Sequence, residues 1–223
     1  MHFSDADHDR ISAAVAAAER ETDGEIVTIV ARQSDKYHDA ALHWAILAML
    51  GVPALLACRP SIAEAIHARL IDPWAQEAPT GALFGIALIL MVLAFLTVRY
   101  LLAWMPLRIA LTPGATRTRR VHARALVLFR ASAEKRTRAK TGVLLYLSIA
   151  ERRAEIVADA SIHAKVAPDI WGDAMAAVLA GVRDGRAADG MADGVALIGT
   201  VLKEYFPRSD TDMNELPDRL IEL

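Results

Sequence analysis

The chain is poor in cysteine and carries none of the short motifs that announce an enzyme. Its single cysteine among 223 residues, Cys58, excludes an intramolecular disulfide and any Cys-x-x-Cys metal or redox site, and suits a reducing compartment. The opening residues, MHFSDAD, have no basic stretch followed by an apolar core, so no cleavable signal peptide is expected. GxxxxGK[ST], a GxGxxG after a strand, GxSxG and HExxH are all missing. Their absence removes the phosphate-cradling loops, the nucleophile elbow and the helical zinc site that those patterns build. An excess of one charge is missing too. The 25 Lys and Arg and 27 Asp and Glu leave a net charge of −2, and no nucleic-acid partner is expected.

Apolar residues are abundant. They make up 54% of the chain, and mean hydropathy is +0.28, yet 23% of residues are charged. That mixture fits a chain partly in a bilayer and partly in water. The apolar residues gather in two runs, AALHWAILAMLGVPALLAC (40–58) and ALFGIALILMVLAFLTV (82–98), the second continuing into YLLAWM. A helix needs about 20 apolar residues to cross a bilayer. His43, Gly51 and Pro53 in the first run are tolerated where neighbours satisfy the backbone. Two buried helices of a soluble protein are the competing reading. The close spacing, with Trp44 and Trp104 near the outer ends, favours a transmembrane hairpin over 40–106. Arg32 and Lys36 precede it, and Arg99, Arg108, Arg117, Arg119, Arg120 and Arg124 follow it. The loop 59–81 holds only Arg59 and Arg69. Positive charge stays inside, so the expectation is a two-helix protein of the cell inner membrane with both termini cytoplasmic. The loop segment SIAEAIHARLIDPWA spaces Ile62, Ile66 and Leu70 as a short helix at the outer interface would.

The soluble stretches alternate helix and strand. Ser4 and Asp7 form a capping-box pattern before a helix over 5–21, with Phe3, Ile11, Val15 and Ala18 on one stripe. After Thr22-Asp23-Gly24 comes a β-branched strand over 25–31, apolar on both faces as an interior strand would be. Beyond the break at Thr112-Pro113-Gly114, a helix is predicted over 117–138, with Val121, Ala125, Leu128 and Phe129 on its core face. Arg117, Arg120 and Arg124 form a basic row on it. They would either face anionic lipid head groups, at roughly 1 kcal/mol per residue, or form a solvated face that only enforces topology. TGVLLYLSIAERRAEIVAD reads as a hairpin of strands 142–148 and 153–158. Pro168-Asp169 opens a helix striped by Trp171, Met175, Val178, Leu179 and Val182, and Gly185 closes it. A last helix over 189–205 precedes a tail, 208–223, expected to be mobile. An isolated hairpin is marginal in water. One sheet built from all three strands is therefore expected, joining 1–36 to 112–207 as a single α/β domain into which the membrane hairpin is inserted.

Chemistry is sparse. Asp159 ends the third strand, with Ser161 and His163 just after it and Asp169 and Asp173 close by. With Glu25, these carboxylates could offer oxygen ligands to a hard cation, or serve as turn and cap residues. His2 and His8 among Asp5, Asp7 and Asp9 read as an acidic first turn that complements the helix dipole. DGRAADGMADG (184–194) misses the EF-hand spacing and reads as a helix–helix connection.

DGEIVTIV, TGVLLYLSIAERRAEIVAD, VAPDIW and GRAADGMADGVALIGTVLKEYFP together resemble the TPM-domain family, over about 3–36 and 117–207, and among its members a bacterial subgroup of small membrane proteins. The resemblance implies a TPM-like α/β sandwich, a small sheet between helices. It also implies a link to assembly and repair, since members include thylakoid proteins connected with photosystem II repair. Acid phosphatase activity and calcium binding have been attributed to the domain. The chain departs from many members in lacking a signal peptide, in carrying the hairpin inside the domain, and in having ADASIHAKV where a glycine-rich segment often follows the third strand. Two functions follow as expectations. One is a membrane-anchored module that binds, assembles or maintains other membrane proteins, its partners being the bilayer and those proteins. The other is a divalent-metal-dependent acid phosphatase, with Glu25, Asp159, Asp169 and Asp173 around a cation such as calcium.

Overall fold

The computed structural model describes residues 3–132, 141–209 and 219–223. The helices, in chain order, are α1 (Asp5–Glu19), α2 (His38–Cys58), α3 (Ser61–Leu70), α4 (Thr80–Leu101), α5 (Met105–Leu111), α6 (Gly114–Ser132), α7 (Ala160–His163), α8 (Gly172–Arg183) and α9 (Ala187–Tyr205). The strands are β1 (Glu25–Ala31), β2 (Gly142–Ser148), β3 (Arg153–Ala158) and β4 (Leu220–Glu222). They divide into two compact units, Met1–Asp35 with Gly114–Leu223, and Lys36–Pro113.

The first unit is an α/β sandwich around one mixed sheet of order β3-β2-β1-β4. β1 lies parallel to β2 in register from Glu25↔Gly142 to Ala31↔Ser148, and β2 turns back onto β3. The opening strand thus finds its partner more than a hundred residues later in the chain. All residues of β1 and β2 are buried because both faces are covered, which explains their unbroken apolar reading. On one face Ile26, Val30, Val143 and Leu145 pack against Ile11 and Val15 of α1, Val178 of α8 and Val195 of α9. On the other, Val27, Ile29, Leu144 and Val157 meet Val121, Ala125 and Phe129 of α6. Ser4 and Asp7 do form the reciprocal capping box, and its hydrogen bonds from Ser4 hold the Asp7 carboxyl below its usual range.

Three expectations need correction. The tail is not mobile throughout: Leu220–Glu222 add to the open edge of β1 as a parallel strand. Three residues are too short a run for a period-2 pattern to show in the sequence. α9 begins at Ala187, two residues before the expected start at 189, with Arg186 at its N-cap, so Asp189 sits inside its first turn, held by Arg10 and Arg186. Asp159 is followed at once by the short helix α7, which nothing in the sequence pattern announced. The expected end of the sixth helix, 133–138, lies outside the described residues, as does His2.

The second unit holds two antiparallel helices, α2 and α4, each long and apolar enough to cross a membrane. Their large side chains face outward. Leu47 is 58% exposed, Phe84 73% and Leu88 62%, whereas a core helix of a soluble protein would bury such residues. α3 folds back along this pair. Its Ala63 and His67 are buried, and Ile62 and Ile66 line an apolar groove of about 430 Å³ with Val52, Leu55, Leu90 and Leu93.

Candidate functional site

Two polar clusters occupy opposite ends of the parallel β1–β2 pair. At the end where both strands begin, the Glu25 N–H donates to the Thr141 carbonyl (3.1 Å), and the Thr141 hydroxyl donates to the Asp23 carbonyl (2.7 Å). Asp159 does not cap α7 with its side chain. It reaches back across the sheet instead, where its Oδ2 accepts the Gly142 N–H at 3.0 Å while its own N–H donates to the Gly142 carbonyl at 2.9 Å. Glu25 is the ladder partner of Gly142. Of the four acidic residues named from sequence, Glu25 and Asp159 therefore flank the first residue of β2, Glu25 as its ladder partner on one side and Asp159 through hydrogen bonds on the other, and both are buried. Asp169 and Asp173 are exposed, on the 3₁₀ turn Pro168–Trp171 and the first turn of α8. Among the described residues no three His, Cys, Asp or Glu side chains come close enough together to hold a metal ion. A hard cation takes six or more oxygens, and one Asp159 oxygen already accepts a backbone N–H. The four carboxylates do not make that donor set.

At the end where β1 and β2 finish, a buried network forms that the sequence did not signal. The Ser34 N–H donates to Glu151 Oε1 (2.9 Å), the Ser34 and Tyr146 hydroxyls meet at 3.0 Å, and the Ser148 hydroxyl donates to Glu151 Oε2. Burial pushes the Tyr146 phenol up from its usual value, against the hydrogen bonds from Ser34 and Ser148 that lower it. Arg120 of the basic row closes the cluster with an ion pair to Asp35 at 3.1 Å. Arg124 is exposed and Arg117 half-buried, with the Arg117 Nε enclosed and without a hydrogen-bond partner among the described residues. The row is therefore not uniform: one member is spent on a structural pair.

A further residue was misjudged from sequence. Arg108, counted there as one of the charges that set topology, is buried inside the second unit. Its guanidinium donates to the carbonyls of Leu102 (2.7 Å), Lys36 (2.6 Å) and Ala103 (3.2 Å), and lies 3.3 Å from the His38 ring. One side chain thus joins the residues that lead into α2 to those that leave α4. The planar five-donor fork of arginine suits such a convergence of carbonyls. Trp171 is buried in the core as its stripe implied, and Cys58 is exposed and free.

Comparison with known proteins rests on these features. Residues 106–201 match the family model of the TPM domain. That span includes α6, β2, β3, α8 and most of α9, and leaves out β1 and α1, which the fold adds. Among solved structures, the NMR structure of the BA42 protein from the psychrophilic bacterium Bizionia argentinensis matches with a TM-score of 0.57 and 17% identity. The match covers 100% of this chain and 97% of that one, and is a likeness of fold. No curated protein matches the chain.

Proposed function

We propose, from the match of residues 106–201 to the family model of the TPM domain, that the chain is a membrane-anchored module that binds, assembles or maintains other membrane proteins. The observation that carries this reading is the outward-facing pair α2 and α4, spliced into the chain between β1 and β2 of a single α/β unit. An exposed apolar surface of this kind needs a bilayer or a partner to cover it. The charge distribution favours an inner-membrane location with both termini in the cytoplasm, and the exposed Arg119 and Arg124, with the half-buried Arg117 beside them, then contribute lipid-facing charge. Affinity purification of the full chain from membranes, with mass spectrometry of what co-purifies, tests the module. Recovery of the bait alone under several mild detergents counts against it. A periplasmic reporter that is active when fused after Pro207 would overturn the orientation.

Divalent-metal-dependent phosphatase activity is the second reading, and its support is that the buried Glu25 and Asp159 flank Gly142 from either side. The described donors do not by themselves fit a cation site. Phosphatase activity of the purified chain that vanishes in Asp159→Ala, with the fold intact, would favour it. Unchanged activity removes Asp159 from any mechanism.

A further inference from the structure

We propose that the open edge of β1 is a strand-addition slot for an extended segment of a partner protein, and that Leu220–Glu222 fill it in cis. The proposal rests on the binding-module reading and names the surface and the chemistry of the partner.

The slot is bounded. β2 covers one edge of β1 along its whole length. On the other edge, the Ile26 N–H is already taken by Glu19 Oε1 at 2.7 Å, so an added strand can pair only from Thr28 onward. There β4 pairs over Thr28↔Leu220 to Val30↔Glu222. The Leu223 N–H donates to the Val30 carbonyl (2.9 Å), and the Arg32 N–H donates to the Leu223 carbonyl (3.1 Å). Main-chain pairing of this kind supplies affinity without sequence preference, while alternating side chains supply specificity.

The present occupant shows what the slot accepts. Side chains of a strand alternate between the two faces of the sheet. Leu220 enters the core beneath α1 and α9, and Ile221 packs on the opposite core beneath α6. Glu222 returns to the first face, where its Oε1 lies 2.6 Å from His8 Nε2 of α1. The preferred ligand is therefore a parallel extended segment reading aliphatic, aliphatic, acidic. The occupant is also lightly held. It pairs over three residues, only Leu220 is fully buried, and Glu222 and Leu223 are exposed. A free segment competes with a tethered one at an effective concentration of about 1 mM for a short tether, so a partner engages when it is presented locally at the membrane or when the tail is released.

The test uses the full chain in detergent micelles, a version ending at residue 218, and full-length Leu220→Asp. The probe is a fluorescent peptide of residues 216–223. The expected result is binding to both altered chains and about tenfold weaker binding to the intact chain, for a peptide that binds the bare edge near ~100 µM. A peptide carrying Leu220→Asp should not bind. A peptide carrying Glu222→Lys should bind poorly, with recovery on a released chain that also carries His8→Glu. Equal binding to intact and released chains overturns the slot, as does no binding to a released chain that keeps its thermal transition. If both altered chains lose that transition, β4 is an integral part of the fold and not a displaceable ligand. Peptide binding without any co-purified membrane partner would leave the slot standing and sink the module reading instead.

Discussion

The crossing of α8 and α9 invites a sharp perturbation. A Cβ built on Gly181 would lie 2.5 Å from the Gly190 Cα, 2.7 Å from its nitrogen and 2.8 Å from the Arg186 carbonyl. All three are backbone atoms, so no side chain can rotate away. Ordinary carbon contacts need about 3.5–4.0 Å, and the helices would have to separate by roughly 1 Å. That separation loosens the contacts of Val178 and Val195 beneath them. Overpacking of this kind costs about 1–3 kcal/mol where a core can adjust. With only backbone to move, Gly181→Ala is expected at the upper end, about 3 kcal/mol. A unit of this size loses roughly 2–4 °C of Tm per kcal/mol, so the melting temperature should fall by about 10 °C. Gly172 provides the control on the same helix. It is exposed, and among the described residues nothing lies within 4 Å of its added Cβ, so Gly172→Ala should be neutral or stabilise by up to about 1 kcal/mol. Thermal and urea unfolding of both variants in the same detergent decides the matter. A Gly181→Ala protein as stable as Gly172→Ala would refute the close crossing and with it the placement of α9 on the sheet.

Other outcomes follow from single groups. The Thr28 hydroxyl is fully buried and has no hydrogen-bond partner among the described residues, so Thr28→Val should raise stability by about 1 kcal/mol, and a lower urea midpoint would contradict that. Tyr146 holds its proton above the usual value of 10.0 because it is buried. Its contribution is therefore complete below pH 10.0 and is lost as pH rises through the folded value, since the unfolded chain gives up the proton first. Tyr146→Phe should lose about 1 kcal/mol at neutral pH with the Ser34 bond and flatten the alkaline decline, and an unaltered decline would assign it to other groups. Arg108→Met strands three carbonyls at the base of the second unit. It should cost about 3 kcal/mol and speed tryptic cleavage after Lys36, with an unchanged digestion rate arguing against the clamp.

Much of the architecture was legible because its signals are local and repeated. The three longer strands carry β-branched or apolar runs bounded by Gly24, Gly142 and the turn at Ile149–Arg152, and the structure places them where those signals put them. The α1 cap was legible for the same reason, since Ser4 and Asp7 are three residues apart. The candidate site was legible only in part. Asp159 stood out as a carboxylate at a strand end, but its role in gripping Gly142 depends on a pairing that sequence spacing does not reveal. Arg108 reads as one arginine among several near a membrane segment. Only the return of the chain brings Lys36, Leu102 and Ala103 around it.

The sequence by itself determined the three longer strands, the longer helices and the bilayer-length apolar runs, because periodicity, caps and hydrophobic length act over neighbouring residues, and it left the short α5, α7 and β4 unmarked. Tertiary structure alone decided which acidic residues flank Gly142, which charges are spent internally, and that residues 220–222 complete the sheet. Those outcomes depend on atoms far apart in the chain that are close only once the backbone has paired. Their energetics come from burial and hydrogen bonding, which no single stretch of sequence contains.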